Sequence, residues 1–209
     1  MKITDIDFIE NKFLFKITID DEISYLISYD TYEKYQLKKE LEIDEQLYNF
    51  LIKEDSFNIA KSKAINFCNY KMRSESEVRK KLYTLKTDDK VIDKVISYLK
   101  EKAYINDETY SREYFNQCLK YKRYSLLRTR QKLIEKGIKK NIIEELISRE
   151  DIGNIEYENA LYNAEKKSRL KDLEDAKEYQ KIYMYLVRNG FSYEMSRSVM
   201  EELKNDKNK

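Results

Sequence analysis

Three times along this chain a leucine stands four residues before a helix-ending position. Leu82, Leu133 and Leu186 precede Lys86, Gly137 and Gly190, and the leucines are 51 and 53 residues apart. The next helices keep step: Val91, Ile142 and Met195 correspond, as do Val95, Leu146 and Val199. A return of caps, apolar positions and terminators near every fifty residues, with three helices per period, implies repeated units that bury their faces on one another. The expected fold is mainly α: a tandem array of three three-helix repeats, preceded by a small antiparallel β-meander. The expected boundaries are 1–54 for a β-rich module with a short helix, then 55–102, 103–150 and 151–209 for the repeats.

The middle unit is the clearest. Asn106 and Asp107 are N-cap candidates, because their side-chain oxygens can accept from the unpaired amides of a first helical turn. Tyr110, Tyr114, Cys118 and Tyr121 follow at three and four residues and predict one apolar face. Ser125 opens a second helix with Leu126, Leu127, Leu133 and Ile134 as buried candidates, and Gly137 closes it, since a residue without Cβ tolerates the left-handed conformation. Asn141 is placed as the cap of a third helix carrying Ile142, Ile143, Leu146 and Ile147. In the first unit a helix beginning near Asp55 carries Ile59, Ala64, Phe67 and Tyr70. Ser74 with Glu77 then reads as a capping box before Val78, Leu82 and Leu85, and Asp88 or Asp89 caps a helix carrying Val91, Ile92, Val95, Ile96 and Leu99. After a looser joint, Ser148 to Asn154, the third unit offers Tyr157, Leu161, Ala164 and Leu170. Tyr179, Ile182, Tyr183, Leu186 and Val187 come next, and Ser192 caps a last helix with Met195, Val199, Met200 and Leu203. The tail after Lys204 is polar and expected to fray.

Residues 1–29 alternate instead. Ile3, Ile6 and Phe8, then Phe13, Phe15, Ile17 and Ile19, then Ile23, Tyr25, Ile27 and Tyr29 follow the period of half-buried strands, with Asn11-Lys12 and Asp20-Asp21 as turns. Three short strands need a cover, for which the segment Asp30 to Leu37 is the nearest candidate.

Composition removes several functions. With no histidine the commonest general base and metal ligand are missing, and three glycines cannot build a phosphate-binding loop. Cys68 and Cys118 lack metal-site spacing and read as small core residues in a reducing compartment. The expectation is a non-enzyme without cofactor or metal, monomeric, cytoplasmic, with no membrane span. No proline and few glycines leave long helices with few breakers; an AT-rich genome accounts for that bias as readily as selection does.

Net charge is only +2, but it is unevenly spread. Residues 1–59 hold seven basic and fourteen acidic side chains, residues 60–86 eight and two, and residues 110–140 ten and two. Lys71 and Arg73 precede the Ser74 cap, and Lys122 and Arg123 occupy the matching place before Ser125. Lys120, Arg128, Arg130, Lys132 and Lys136 extend the middle set. Basic groups at corresponding points of successive repeats would form a stripe suited to a phosphate backbone or an acidic protein surface, with Tyr121 and Tyr124 placed to stack on bases. An ordinary solvated face, aided by cations near helix C-termini, is the plainer account.

The run from Lys71 to Leu146 resembles the RecX regulatory family, modulators of the RecA recombinase. The residues that carry the likeness are Arg73-Ser74 with Glu77 and Leu82, then Tyr104-Ile105-Asn106-Asp107 with Tyr110-Ser111 and Tyr114. Arg128, Arg130, Leu133 and Lys136-Gly137-Ile138 complete it. The acidic N-terminus followed by Tyr35-Gln36-Leu37-Lys38-Lys39 is similar to members from low-GC Gram-positive bacteria. Ala103 and Ser125 depart from the pattern, standing where the family usually has glycine. The resemblance implies a helical-repeat protein that lies along a RecA–single-stranded DNA filament and restrains recombinase activity, with RecA and single-stranded DNA as partners. A stand-alone DNA-binding regulator, one helix of the middle unit entering a groove as in helix-turn-helix proteins, is the alternative.

Overall fold

A computed structural model describes residues 1–10, 14–148 and 152–207, apart from the side chains of Glu54, Asp206 and Lys207. The Asn11-Lys12 turn, the Phe13 strand position and residues 149–151 of the looser joint lie outside them. The chain forms two compact units, Met1–Ile105 and Asn106–Lys209.

In the first unit β1 (Ile3–Ile9), β2 (Leu14–Ile19) and β3 (Ile23–Ser28) form the expected antiparallel meander in that order. Asp20 and Asp21, at φ of 51° and 57°, make the tight turn between β2 and β3. Ile3, Ile17, Ile19 and Ile27 point inward and are covered by Leu37, Ile43 and Leu51. The expected segment Asp30 to Leu37 supplies part of this cover through Leu37, Tyr32 and Tyr35, and Ile43 and Leu51 extend it. The short α1 (Tyr29–Lys34) contributes Tyr32, stacked on Phe15 at 3.9 Å, while the front half of α2 lies against β3. That helix, Glu45–Tyr70, starts ten residues before the predicted point, because Asp44 accepts from the Leu47 amide and caps it. The position drawn between 54 and 55 therefore falls inside a continuous helix. Asp55 explains why the helix does not break there: its buried carboxylate accepts from the backbone and hydroxyl of Ser28 at 2.7–2.8 Å, tying α2 to the end of β3.

The back half of α2 packs with α3 (Glu75–Thr84) and α4 (Asp89–Glu101) as the first three-helix unit. The Ser74–Glu77 capping box is present in both directions, and Asp88 caps α4. On α2 the buried stripe is Ala60, Ala64 and Cys68, one position round from the large residues of the prediction. Tyr70 is 84% exposed. Small residues win the inner stripe because they let α2 approach the Leu82 and Ile92 layer closely.

The second unit holds α5 (Asp107–Asn116), a π-helical turn (Gln117–Tyr121), α6 (Leu126–Glu135), α7 (Lys140–Ser148), α8 (Gly153–Ser168), α9 (Ala176–Arg188) and α10 (Tyr193–Lys207). Two cores form, one around Tyr110, Phe115, Leu119, Leu133 and Ile143, the other around Ala160, Ala164, Ile182, Leu186 and Val199. Asn106 caps α5, Ser125 caps α6 and the Ser192 hydroxyl accepts from the Met195 amide, as predicted. Asn141 does not cap α7, which begins one residue earlier. Leu127, Ile134, Tyr121 and Leu170, expected inside, are exposed. The extra residue in the π turn rotates Tyr121 off the Tyr110–Cys118 face, and the last helix runs on to Lys207.

The repeat shows in the backbone. Lys86, Gly137 and Gly190 all have positive φ, at 56°, 77° and 91°. In each unit the amide of the next residue (Thr87, Ile138, Phe191) donates to the carbonyl of the fully buried Leu82, Leu133 or Leu186. This is one Schellman ending used three times. Ala103, at φ 57°, ends α4 the same way, with the Tyr104 amide on the Leu99 carbonyl.

Candidate functional site

In the first unit Lys71 is exposed, whereas Arg73 is largely covered. The Arg73 guanidinium lies 3.8 Å from the centre of the Phe67 ring, its Nε donates to the Phe67 carbonyl, and Glu77 faces it at 4.0 Å. Arg73 thus fastens the end of α2 to the start of α3.

In the second unit the cations gather around two tyrosine rings. Tyr114 comes from α5, and Tyr124 from the segment joining the π turn to α6. Lys122 Nζ sits 5.4 Å from the Tyr114 centroid and 5.9 Å from that of Tyr124; Lys136 is 5.7 Å from Tyr114; the Arg128 guanidinium lies 4.2 Å over Tyr124. Such contacts are worth about 0.5–1 kcal/mol each at exposed sites. Burial pushes the Cys118 thiol up, and Lys122, a hydrogen bond with Tyr114, Lys132 and Arg128 pull the other way. Lys132 therefore belongs to the same positive neighbourhood. Burial likewise raises the Tyr114 phenol, keeping it neutral. Lys120, on the π turn beside Tyr121, is exposed, and Tyr121 is 82% exposed.

Not all of the predicted cations are equally available. Arg130 pairs with Glu144 at 2.8 Å, and Lys132 with Glu135 at 2.7 Å. Arg123 and Arg128 join two repeats: Arg123 donates to Asn159 Oδ1 at 3.2 Å, and Arg128 to Asn189 Oδ1 at 2.5 Å.

Sequence reasoning missed this seam. Glu156, Asn159 and Asn163 lie at three- and four-residue spacing on α8. Glu156 accepts from the Leu126 amide at 2.8 Å. Asn159, fully buried, donates from Nδ2 to the carbonyls of Leu119 and Tyr124 at 2.9 and 3.1 Å, and Asn163 donates to the Arg123 carbonyl at 2.8 Å. Ser125 Oγ, besides capping α6, donates to the Asn189 carbonyl at 2.7 Å. The π turn and the left-handed Arg123 (φ 55°) leave carbonyls that no helix bond uses, and α8 supplies their donors. Nothing in the spacing of these asparagines signals the role; on a helix of mixed polarity they read as solvent-facing. The seam holds Lys120, Tyr121 and Lys122 outward on a fixed backbone.

Among the described residues no group of three metal-ligating side chains converges, and no helix is long and apolar enough to cross a membrane. Charge and aromatic surface are the chemistry on offer.

Comparison with known proteins finds relatives along most of the chain. Family models for RecX match in three places: the first three-helix domain at residues 60–99, the second at 106–147 and the third at 154–200. The regulatory protein RecX of Finegoldia magna is 32% identical over 201 residues, covering 95% of this chain and 98% of that protein. That of Clostridioides difficile is 31% identical over 190 residues, 90% and 89% of the two chains. Among solved structures, a crystal structure of regulatory protein RecX superposes with a TM-score of 0.67 at 23% identity, covering 96% of this chain and 98% of that one. The crystal structure of RecX from Lactobacillus salivarius has a TM-score of 0.61 at 27% identity, covering 72% and 97%.

Proposed function

This chain belongs to the RecX family of regulatory proteins, and from that membership we propose that it binds the RecA–single-stranded DNA filament. There it restrains recombinase activity through a basic face of its helical repeats, acting as a cytoplasmic monomer without catalysis of its own. The observation that carries the reading is the cluster of Lys122, Arg128 and Lys136 about Tyr114 and Tyr124, with Lys120 and Tyr121 exposed beside it. Cations preset on rings lose little entropy on meeting phosphates or carboxylates, and exposed aromatic faces accept any base. Contacts from successive repeats add through multivalency, so each can be weak.

The test is RecA ATP turnover on single-stranded DNA with this protein and with its Lys120→Glu/Lys122→Glu/Lys136→Glu variant. Wild type should lower turnover, and the variant, with unchanged helical circular dichroism, should not. Arg123 and Arg128 make poorer probes, since glutamate there would face the carbonyl oxygens of Asn159 and Asn189 across the seam. Inhibition by the variant equal to wild type would refute the electrostatic part. No inhibition by wild type, with tight preference for one duplex sequence, would return the stand-alone regulator.

A further inference from the structure

Among the described residues, one flank of α2 in the first unit contributes no side chain to either core cluster. Ile52, Ser56, Ile59, Lys63, Asn66 and Tyr70 follow at three- and four-residue spacing and all line open cavities. The first cavity, about 370 Å³, lies between this flank, β3 and the turn after α3; its walls are mostly aliphatic, with Ile17, Ile27, Leu51 and Ile59, and Lys63, Lys86 and Asp88 are its charged residues. The second, about 450 Å³, lies between the end of α2 and α3 and is lined by Lys63, Asn66, Phe67, Tyr70, Arg73 and Lys81. Lys63 and Leu85 border both, so the two are one groove. From Ile52 to Tyr70 it follows about 27 Å of helix. Its rim exposes apolar surface: Leu26 is 43%, Leu85 36% and Tyr70 84% accessible.

The charge along the groove is one-sided. Among the described residues neither Lys63 nor Lys81 has a carboxylate partner, whereas Arg79, on another face of α3, has two. Asp88, the acid in the first cavity's wall, has its carboxylate on the Lys90 amide as a helix cap. We infer that this groove binds a segment of a partner protein that carries an aliphatic anchor for the first cavity and acidic side chains for Lys63 and Lys81. A nucleic acid fits less well. The larger part of the first cavity's wall is aliphatic and would strip water from phosphates without replacing it, whereas a leucine or isoleucine gains by entering. The cationic end selects acids among apolar-anchored segments. Lys63 is four helical residues from Ile59, about 6 Å. Anchor and the first acid therefore stand about two residues apart in an extended segment, or four in a helical one.

The inference stands on the first unit alone and does not depend on the recombinase reading. It is tested by panning a displayed library of random dodecapeptides on the full-length chain, then measuring the selected peptides by fluorescence anisotropy. The expected consensus is an aliphatic residue with two or more acids within about eight positions on one side of it. Affinity should fall at least tenfold in Lys63→Glu/Lys81→Glu and in Ser56→Trp, which fills the first cavity from an exposed position. Circular dichroism checks that both variants fold, and the charge reversal, panned itself, should select basic peptides. No enrichment, a consensus without acids, or affinity unchanged in both variants would overturn the inference. So would displacement of the peptides by oligo(dT) whose own binding is weakened by the same substitutions, which would make this a nucleic-acid groove.

Discussion

A methyl group at position 190 would lie 2.6 Å from Ser125 Oγ and 3.3 Å from Leu127 Cβ, on a backbone already at φ 91°. Gly190→Ala therefore combines left-handed strain of about 1–2 kcal/mol with displacement of the hydroxyl that caps α6, worth about 1 kcal/mol. Chemical denaturation should show a loss of about 2–3 kcal/mol. Ala103 poses the reverse problem, a Cβ held at φ 57°. Ala103→Gly relieves the strain but loosens the unfolded chain, leaving a net gain of about 0.5–1 kcal/mol. Asp55 ties stability to pH. Burial, the largest influence, raises its pKa above the ordinary 3.8, and the hydrogen bonds from Ser28 and Thr31 only partly offset this. The folded state thus holds the proton more tightly than the unfolded one. The carboxyl's contribution is full below pH 3.8 and is lost as pH rises through its raised folded value. Asp55→Asn removes the titration, so denaturation midpoints of wild type relative to that variant should decline as pH rises through this window. A flat difference would mean that the carboxylate is fully compensated by its donors.

At the scale of elements, what could be read in the chain and what could not divide along one line. Caps and terminators are local. Ser74, Asn106, Ser125 and Ser192 act on amides two or three residues away, and the three Schellman endings depend on a few neighbouring residues, so these were legible. Which side of a helix faces the core is settled by what packs there. On α2 the predicted Ala64 is buried and Phe67 packs against the core, but Ile59 and Tyr70 give way to Ala60 and Cys68, because close helix contact favours small residues. The basic stretch was legible as a cluster but not as two classes, because the partners of Arg123 and Arg128 are asparagines 36 and 61 residues away. The π turn had no sequence signature either; α8 supplies the donor to its Leu119 carbonyl and to the Arg123 and Tyr124 carbonyls that follow it. Asn159→Ala would leave the Leu119 and Tyr124 carbonyls without those donors in a buried seam. At about 1–3 kcal/mol per unsatisfied group, the loss should be about 2–4 kcal/mol by denaturation, with Asn163→Ala costing less because Asn163 is only partly buried. Equal, small effects of both would show that water replaces the clamp.

For the molecule as a whole, a net charge of +2 provides almost no attraction for a polyanion, and residues 1–59 alone carry twice as many acids as bases. At physiological ionic strength, however, the Debye length is about 8 Å, so a phosphate senses the cations beside it and little else. Binding then depends on the local set, Lys120 and Lys122 with their neighbours in the second unit, and should follow counterion release. For a single strand, log K falls against log salt by about 0.7 for each phosphate neutralised. Titrating a labelled oligo(dT) into the protein at several salt concentrations should give a linear plot whose slope weakens by about 0.7 in Lys120→Gln and in Lys122→Gln, and by about 1.4 in the double variant. Lys16→Gln, exposed on β2 in the acidic segment, serves as the control and should leave the slope unchanged. If the double variant keeps the wild-type slope, those lysines neutralise no phosphate, and the basic cluster is a solvated face after all. If affinity drops without a change of slope, the lysines act on the shape of the turn rather than on the strand, and the α8 clamp becomes the element to test next.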